Sequence, residues 1–223
     1  MTSEFEDRRD AGRQLAARLK ELRGDDVVVL GLPRGGVPVA AEVAAALGAP
    51  LDVILVRKLG VPSAPEVAMG AIGEDGERVL DHHLIAAAGV TAAQVRAAEQ
   101  RERHALAARA AALRPHSVRV ELSGRTAIIV DDGIATGATA SAACGVARAR
   151  GATRVLVAVP VGSADAGRRV HGADDVICLR QPRVFRAVGE HYRRFAQTSD
   201  AEVVELLVEA RERWVGRSDD SDE

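Results

Sequence analysis

Residues 127–139 read A-I-I-V-D-D-G-I-A-T-G-A-T, and the fold class follows from how this stretch is built. Ala127 to Val130 is a short apolar, β-branched run of the kind carried by a parallel strand covered on both faces. Asp131 and Asp132 stand at its C-terminal end, where open α/β sheets bind ligands in the crevice beyond the strands. Thr136-Gly137-Ala138-Thr139 then opens an alanine-rich helix that reads on to about Arg150. The glycine permits a tight turn, and the hydroxyls and free amides at a helix N-terminus suit an anion. Two carboxylates able to grip vicinal hydroxyls, followed by an anion cradle, match a ribose carrying a 5-phosphate. Without a ligand the same residues make a strand, a solvated Asp-Asp turn and a helix capped by Thr136 or Thr139.

The pattern recurs upstream. Val27 to Leu30 is a second apolar run, leading through Gly31-Leu32-Pro33-Arg34-Gly35-Gly36 into a helical stretch from Val37 to Leu47. Successive amides in such a turn form an anion nest, and Arg34 adds a planar fork suited to phosphate oxygens. A third strand, Val53 to Val56, ends in Arg57-Lys58, and the chain is then rich in glycine, proline and charge through Gly76. Loops of this length are uncommon unless they act, which makes Arg57, Lys58 and Glu66 candidates to meet a ligand; otherwise they are a solvated strand end and a surface acid. Val155 to Val159 and Val176 to Leu179 supply two more strands, separated by a helix-sized interval around Asp165 to His171. Five strands with intervening helices predict an α/β protein with a doubly wound, mainly parallel sheet.

Two further helices are expected, an amphipathic one from Phe5 to Leu22 with Leu15, Leu19 and Leu22 on one face, and an alanine-rich one from Thr91 to Leu113. The latter carries a Glu99–Arg103 pair at i,i+4 and is inserted before the 127–139 strand, as an added subdomain or dimer contact. Phe185, Tyr192 and Phe195, with Gln181-Pro182 and Val188-Gly189, gather most of the aromatic residues of an aromatic-poor chain. Such a cluster serves a flat ligand or a local core. Residues 216–223, Ser-, Asp- and Glu-rich after a glycine, are expected to be disordered.

At 223 residues the chain can bury a full core, and a single domain over residues 1–215 is the expectation. A formal net charge of -2 without a block of Lys or Arg argues against nucleic acid as principal partner. No apolar run approaches the ~20 residues of a membrane span, and no targeting segment is visible. Cys144 and Cys178 are too few for a disulfide framework and read as reduced, buried and cytoplasmic. Among the six histidines, His82, His83, His104, His116, His171 and His191, no spacing chelates a metal.

The 127–139 stretch resembles the thirteen-residue signature of the type I phosphoribosyltransferases: four apolar residues, two acids, then a Thr-Gly turn. Over nearly its full length the chain is similar to a bacterial group of predicted phosphoribosyltransferases, a likeness that specifies no substrate. The resemblance implies that Asp131 and Asp132 hold the ribose 2- and 3-hydroxyls of phosphoribosyl pyrophosphate. Ala135, Thr136, Gly137, Ala138 and Thr139 would bind the 5-phosphate, and Arg34, Gly35 and Gly36 the pyrophosphate, after a Pro33–Arg34 peptide that is often cis in the family. It implies a mobile flap after Val56, bringing Arg57 and Lys58 to the site, and a hood at about residues 180–200 in which Phe185 and Tyr192 meet the acceptor. Mg²⁺ is the implied cofactor, with Asp131 and Asp132 acting on it only indirectly, through ribose hydroxyls or water. A homodimer is also implied.

The resemblance has two departures. Ala135 stands where 6-oxopurine enzymes commonly carry an aspartate near the purine N7, which disfavours hypoxanthine, guanine and xanthine unless His191 or Glu66 substitutes. His191 stands where those enzymes place an acid beside the tyrosine, which argues against a second metal. The implied function is transfer of the 5-phosphoribosyl group to a small nitrogenous acceptor. The alternative is a non-catalytic sensor of a nucleotide or of phosphoribosyl pyrophosphate on the same fold.

Overall fold

Apolar runs alternate with helices along this chain, and the computed structural model, which describes residues 4–24, 26–114 and 119–219, shows how they assemble. In chain order the elements are α1 (Arg8–Leu19), β1 (Val27–Gly31), α2 (Gly36–Leu47), β2 (Leu51–Val53), β3 (Val56–Val61), β4 (Ala64–Gly73), β5 (Arg78–Leu80), α3 (His82–Ala87), α4 (Ala92–Leu113), β6 (Thr126–Val130), α5 (Ala138–Ala149), β7 (Arg154–Val161), α6 (Ala166–Arg169), β8 (Asp175–Arg180) and α7 (Asp200–Asp219). Five strands form a parallel sheet in the order β2-β1-β6-β7-β8. The winding direction reverses between β1 and β6, and a sheet of this kind binds its ligand at that switch point.

Alternation along the central strands feeds two cores. Val27 and Val29 of β1, with Ile128 and Val130 of β6, lie on the α2 side, in one core with apolar residues of α1, α2, α4 and α7. Val28 and Leu30, with Ala127 and Ile129, face α5 on the opposite side. Each fully buried aliphatic side chain of this size contributes roughly 1.5–3 kcal/mol. That is why these strands are apolar throughout and not alternately polar.

The expected sheet is therefore present, with corrections at its edges. The strand expected at Val53–Val56 is two elements: β2 ends at Val53, and after Ile54-Leu55 the chain enters a separate antiparallel sheet, β3-β4-β5. The segment read as a loop through Gly76 is the hairpin of that sheet. Leu59, Val61, Met69, Ala71 and Ile72 are buried, enough apolar surface to hold the glycine-rich segment in strands. Gly60 sits at an irregularity in the β3–β4 register, where an added Cβ would lie 3.0 Å from Pro65 Cα.

The first helix begins at Arg8 and not at Phe5, because Asp7 caps it by accepting from the Asp10 amide at 2.9 Å, while Phe5 bridges to Tyr192. Near the other end, α7 buries Val203, Leu206, Leu207 and Ala210 at helical spacing. It continues to Asp219, past the Gly216 at which a disordered tail was expected; residues 220–223 lie outside the described residues. Cys144 and Cys178 are both free, Cys144 buried and Cys178 half-buried rather than buried. Burial pushes their thiols up to about 12 and about 11.

The inserted helix α4 is anchored by charge. Thr91 and Gln94 form a capping box at its start. At its end Arg114 donates to the fully buried Asp52 of β2, 2.5 Å away, to the Val53 carbonyl at 3.0 Å, and to Glu74. Asp52 also accepts from the amides of Val53 at 2.7 Å and Val120 at 3.1 Å. Burial pushes the Asp52 carboxyl up, against the pull of Arg114. For Arg114 burial opposes the charge, but Glu74 and Asp52 outweigh it and hold its pKa above the usual range.

Removing one partner of such a pair leaves a buried charge uncompensated. Arg114→Met is therefore expected to cost about 3–5 kcal/mol, a fall in melting temperature on the order of 10 °C. Combining it with Asp52→Asn should recover part of the loss. Thermal melts of the two variants against the wild type check this, and a double variant no better than the single would contradict the buried-charge account.

Candidate active site

Two loops leave neighbouring strands at the same level, since Gly31 of β1 is paired with Val130 of β6. The first is Leu32–Gly35, entering α2 at Gly36, and the second is Asp131–Gly137. They lie directly against each other. A Cβ on Gly36 would sit 2.8 Å from Asp131 Cα, and one on Gly35 would sit 2.8 Å from the Asp132 carboxyl carbon. The glycines are thus required by the approach of the two loops. The Leu32 amide donates to the Val130 carbonyl at 2.9 Å and so ties the loops together. The Pro33–Arg34 peptide is cis. Two amides that an anion nest would offer close the turn instead, Gly36 donating to Leu32 O at 3.0 Å and Val37 to Arg34 O at 3.1 Å.

The acid pair is held from three sides. Asp131 accepts from the Asp132 amide at 2.9 Å. The Asp132 carboxylate accepts from Arg8 Nε at 2.8 Å, and its carbonyl accepts from the Tyr192 hydroxyl at 2.6 Å. Arg8 in turn donates to the Ala196 carbonyl at 2.6 Å and lies 3.8 Å above the centre of the Phe195 ring. Burial pushes the Asp131 carboxyl well above the usual range, and the Asp132 charge pushes it further. Burial also pushes Asp132 up, with Arg8 pulling the other way. Two neighbouring carboxylates with this little water are poised for hydroxyl donors, which would relieve both effects.

The turn beyond them is fixed by β7. Ile134 donates to Val161 O at 2.9 Å, Ser163 donates back to Ile134 O at 3.0 Å, and the Ser163 hydroxyl donates to Ala135 O at 3.1 Å. Gly137, at φ 77°, caps α5 in the left-handed region, where a side chain is strained. Gly137 itself has no side chain to cap the helix, but the Thr136 hydroxyl accepts from the Ala138 amide at a long 3.5 Å; Thr136, Thr139 and Ala135 are exposed. The hydroxyls remain available to an anion at the N-terminus of α5.

A cavity of about 630 Å³ opens beside the β1 loop, with Arg34, Arg57 and Thr139 among its walls. A second, of about 960 Å³, lies beyond the turn and includes Thr136 and Ala138. The structure therefore brings Asp131, Asp132, Arg34, Gly35, Gly36 and residues 135–139 together, with Arg57 close by. Lys58 is not among the cavity walls. It alternates with Arg57 along β3 and donates to the Glu66 carbonyl at 3.4 Å, while Arg57 pairs with Glu102 at 3.5 Å.

Tyr192 and Phe185 were expected to meet the acceptor. Tyr192 is 5% exposed and packs on Phe5 with ring centroids 5.4 Å apart. Burial and the Asp132 charge push its hydroxyl up, so it stays a donor and supports the acid turn. Phe185 stacks on the buried His191 at 5.6 Å. Tyr192 thus belongs to a local core with Phe5, Ala11 and Val161, against which Phe185 is half-buried. Sequence reading missed Arg8, Arg109 and Asp200: nothing in the run Arg8-Arg9-Asp10 marks Arg8 out, and Asp200 matters only because α7 returns it to the site.

Mg²⁺ was expected to reach these acids indirectly. Among the described residues no group of three or more His, Cys, Asp or Glu is placed to hold a metal. Asp131 and Asp132 are hard oxygen donors, and Mg²⁺ characteristically keeps several waters and substrate phosphates, so it can meet such acids through water or ribose hydroxyls. This donor set fits that mode of binding.

Comparison with known proteins agrees with the geometry. A family model described as the phosphoribosyl transferase domain matches residues 1–193. Two Mycobacterium tuberculosis relatives, named "Putative phosphoribosyl transferase Rv0571c" in strain H37Rv and "Putative phosphoribosyl transferase MT0597" in strain CDC 1551, are each 59% identical over 204 residues. The match takes in 91% of this chain but 46% of theirs, so the chain spans about half the length of these relatives. The crystal structure of TT1426 from Thermus thermophilus superposes with a TM-score of 0.88 at 44% identity, covering 92% of this chain and 98% of that one. With two acids at a topological switch point, a glycine pair seated on them and a Thr-Gly turn opening α5, the chain belongs to the phosphoribosyl transferase domain family.

Proposed function

We propose that the protein is a Mg²⁺-dependent phosphoribosyltransferase that moves the 5-phosphoribosyl group of phosphoribosyl pyrophosphate onto a small nitrogenous acceptor and releases pyrophosphate. The observation that carries this reading is the seating of Gly35-Gly36 on Asp131-Asp132 at the switch point. That contact supports the reading because it sets the loop carrying Arg34 directly against the two acids. In the reaction the ribose C1–oxygen bond breaks with its electron pair leaving on pyrophosphate, a bond from the acceptor nitrogen to C1 forms, and the nitrogen's proton is lost.

The residues divide this work. Asp131 and Asp132 accept hydrogen bonds from the ribose 2- and 3-hydroxyls. The exposed 135–139 turn and the α5 N-terminus hold the 5-phosphate. Arg34 meets the charge that develops on the departing pyrophosphate, a preorganised electrostatic contribution. Mg²⁺, when bound with the diphosphate, supplies further neutralisation of that charge. Arg57 is the flap residue best placed for the same anion, and Lys58 would reach it only by movement of the β3–β4 hairpin. A homodimer is part of this reading, supported by the largely exposed α4, of which Val95, Ala98, Leu106 and Leu113 alone are buried. No described helix is long and apolar enough to cross a membrane, and the free thiols fit a reducing, cytoplasmic compartment.

The acceptor follows from Ala135. No carboxylate there can exchange a proton with a purine N7, so we expect turnover of an acceptor other than hypoxanthine or guanine. A pyrophosphate-release assay with phosphoribosyl pyrophosphate, Mg²⁺ and a panel of bases tests it. Robust turnover of guanine contradicts the acceptor argument. If every base fails while phosphoribosyl pyrophosphate still binds, the sensor reading takes over.

The acid pair also makes stability and function pull apart. Its carboxyls titrate higher in the folded chain than the ~3.9 of an unfolded aspartate. The native state therefore holds its protons longer, and ligand-free stability falls as pH rises from about 4 through the raised values. Asp131→Asn should raise the melting temperature of the free protein at neutral pH by about 2–4 °C per kcal/mol relieved, with the gain fading towards pH 4. The same change should weaken phosphoribosyl pyrophosphate binding by about 1.5–3 kcal/mol. Calorimetry across pH, with and without ligand, reads both; equal affinities would remove the ribose assignment.

A further inference from the structure

Arg34 and Arg109 meet the same carboxylate. Arg109 of α4 places a guanidinium nitrogen 2.7 Å from Asp200 Oδ1, and Arg34 of the β1 loop places one 3.9 Å from that oxygen. All three line the 630 Å³ cavity with Arg57 and Thr139. Asp200 is set there by the start of α7, where the Glu202 amide donates to the Ser199 hydroxyl at 3.1 Å. Arg57, the third arginine, is held by Glu102 of the same helix α4.

The position of the cavity decides which part of a substrate enters it. Its walls include Leu32–Arg34, which follow β1, and Ile54–Val56, which follow β2. Because Arg34, the residue assigned to the departing pyrophosphate, is itself one of these walls, the group that enters is the pyrophosphate. A cavity carrying three guanidinium groups, each beside a carboxylate, is arranged for an anion of more than one charge.

We propose that Arg109, supplied by the inserted helix, is a further pyrophosphate-binding residue. Asp200 stands in for the anion, holding Arg34 and Arg109 in place until a diphosphate displaces it. This rests on the phosphoribosyltransferase reading. Guanidinium forks match phosphate oxygens in paired hydrogen bonds. The Arg109 and Asp200 side chains are 28% and 41% exposed, and a pair this open to water contributes little to stability. Exchanging its carboxylate for a more highly charged diphosphate is therefore favourable.

Titration calorimetry with two probes, pyrophosphate with Mg²⁺ and ribose 5-phosphate, separates the possibilities. Arg109→Gln should weaken pyrophosphate binding about tenfold or more. Ribose 5-phosphate binding should stay within about twofold of wild type, because Arg109 pairs with Asp200 and not with the 135–139 turn assigned to that phosphate. Arg109→Lys should recover part of the loss, and Asp200→Asn should tighten pyrophosphate binding by freeing both arginines. Unchanged pyrophosphate affinity in Arg109→Gln, or equal weakening of both probes, overturns the inference. If Arg109→Gln does not fold, the Asp200→Asn arm decides, and no tightening there overturns it. A wild type that binds neither probe overturns the phosphoribosyltransferase reading itself, whereas binding of both with an indifferent Arg109→Gln removes only the role of Arg109.

Discussion

The parallel pairing of β1 with β6 is the constraint on which the rest of the site depends. Because Gly31 is level with Val130, the loops that follow both strands emerge side by side at the reversal of winding. Contact at that distance leaves no room for a side chain at positions 35 and 36. The glycine pair and the acid pair are therefore one structural unit, assembled from residues about a hundred positions apart. Slipping the register by one residue would reverse every inward side chain of these strands, so the two cores that bury the strands also hold the site together.

Around this unit, opposite charges are matched in shells of differing exposure. Deepest is Asp52, fully buried and answered by Arg114, which fixes the end of α4 to the sheet. Next come Asp131 and Asp132, whose mutual repulsion is only partly met by Arg8. Outermost are the cavity arginines, each beside a carboxylate that solvent reaches. The gradient follows exposure: the buried network ties the insertion to the sheet, the middle pair is only partly compensated, and the outer pairs, open to water, are individually weak.

The N-terminal and hood-like segments meet at the acid turn. Phe5 bridges to Tyr192, Tyr192 holds the Asp132 carbonyl, and Arg8 spans from the Asp132 carboxylate to Ala196 and the Phe195 ring. In the aromatic cluster that reads as a base-stacking surface, Tyr192 and Phe195 instead hold the acid turn from behind, directly and through Arg8. Clustering alone does not distinguish these roles, since a buried ring and a stacking ring have the same composition; burial and the hydroxyl's partner do.

By itself the sequence determined the sheet, the central strands, the two loops and the acids, because each is written locally: β-branched runs, a glycine turn, a helix start. It also contained the hairpin β3–β4, but hidden under glycine and proline, because the alternation of Leu59, Val61, Met69 and Ala71 stabilises strands only when a second surface covers it. Tertiary structure alone decided that Gly35 and Gly36 rest on Asp131 and Asp132, and that Arg8 answers one acid. It also decided that α7 returns Asp200 to Arg34 and Arg109. These are contacts between residues far apart in the chain, and a charged side chain carries no local mark of the partner that packing will bring to it.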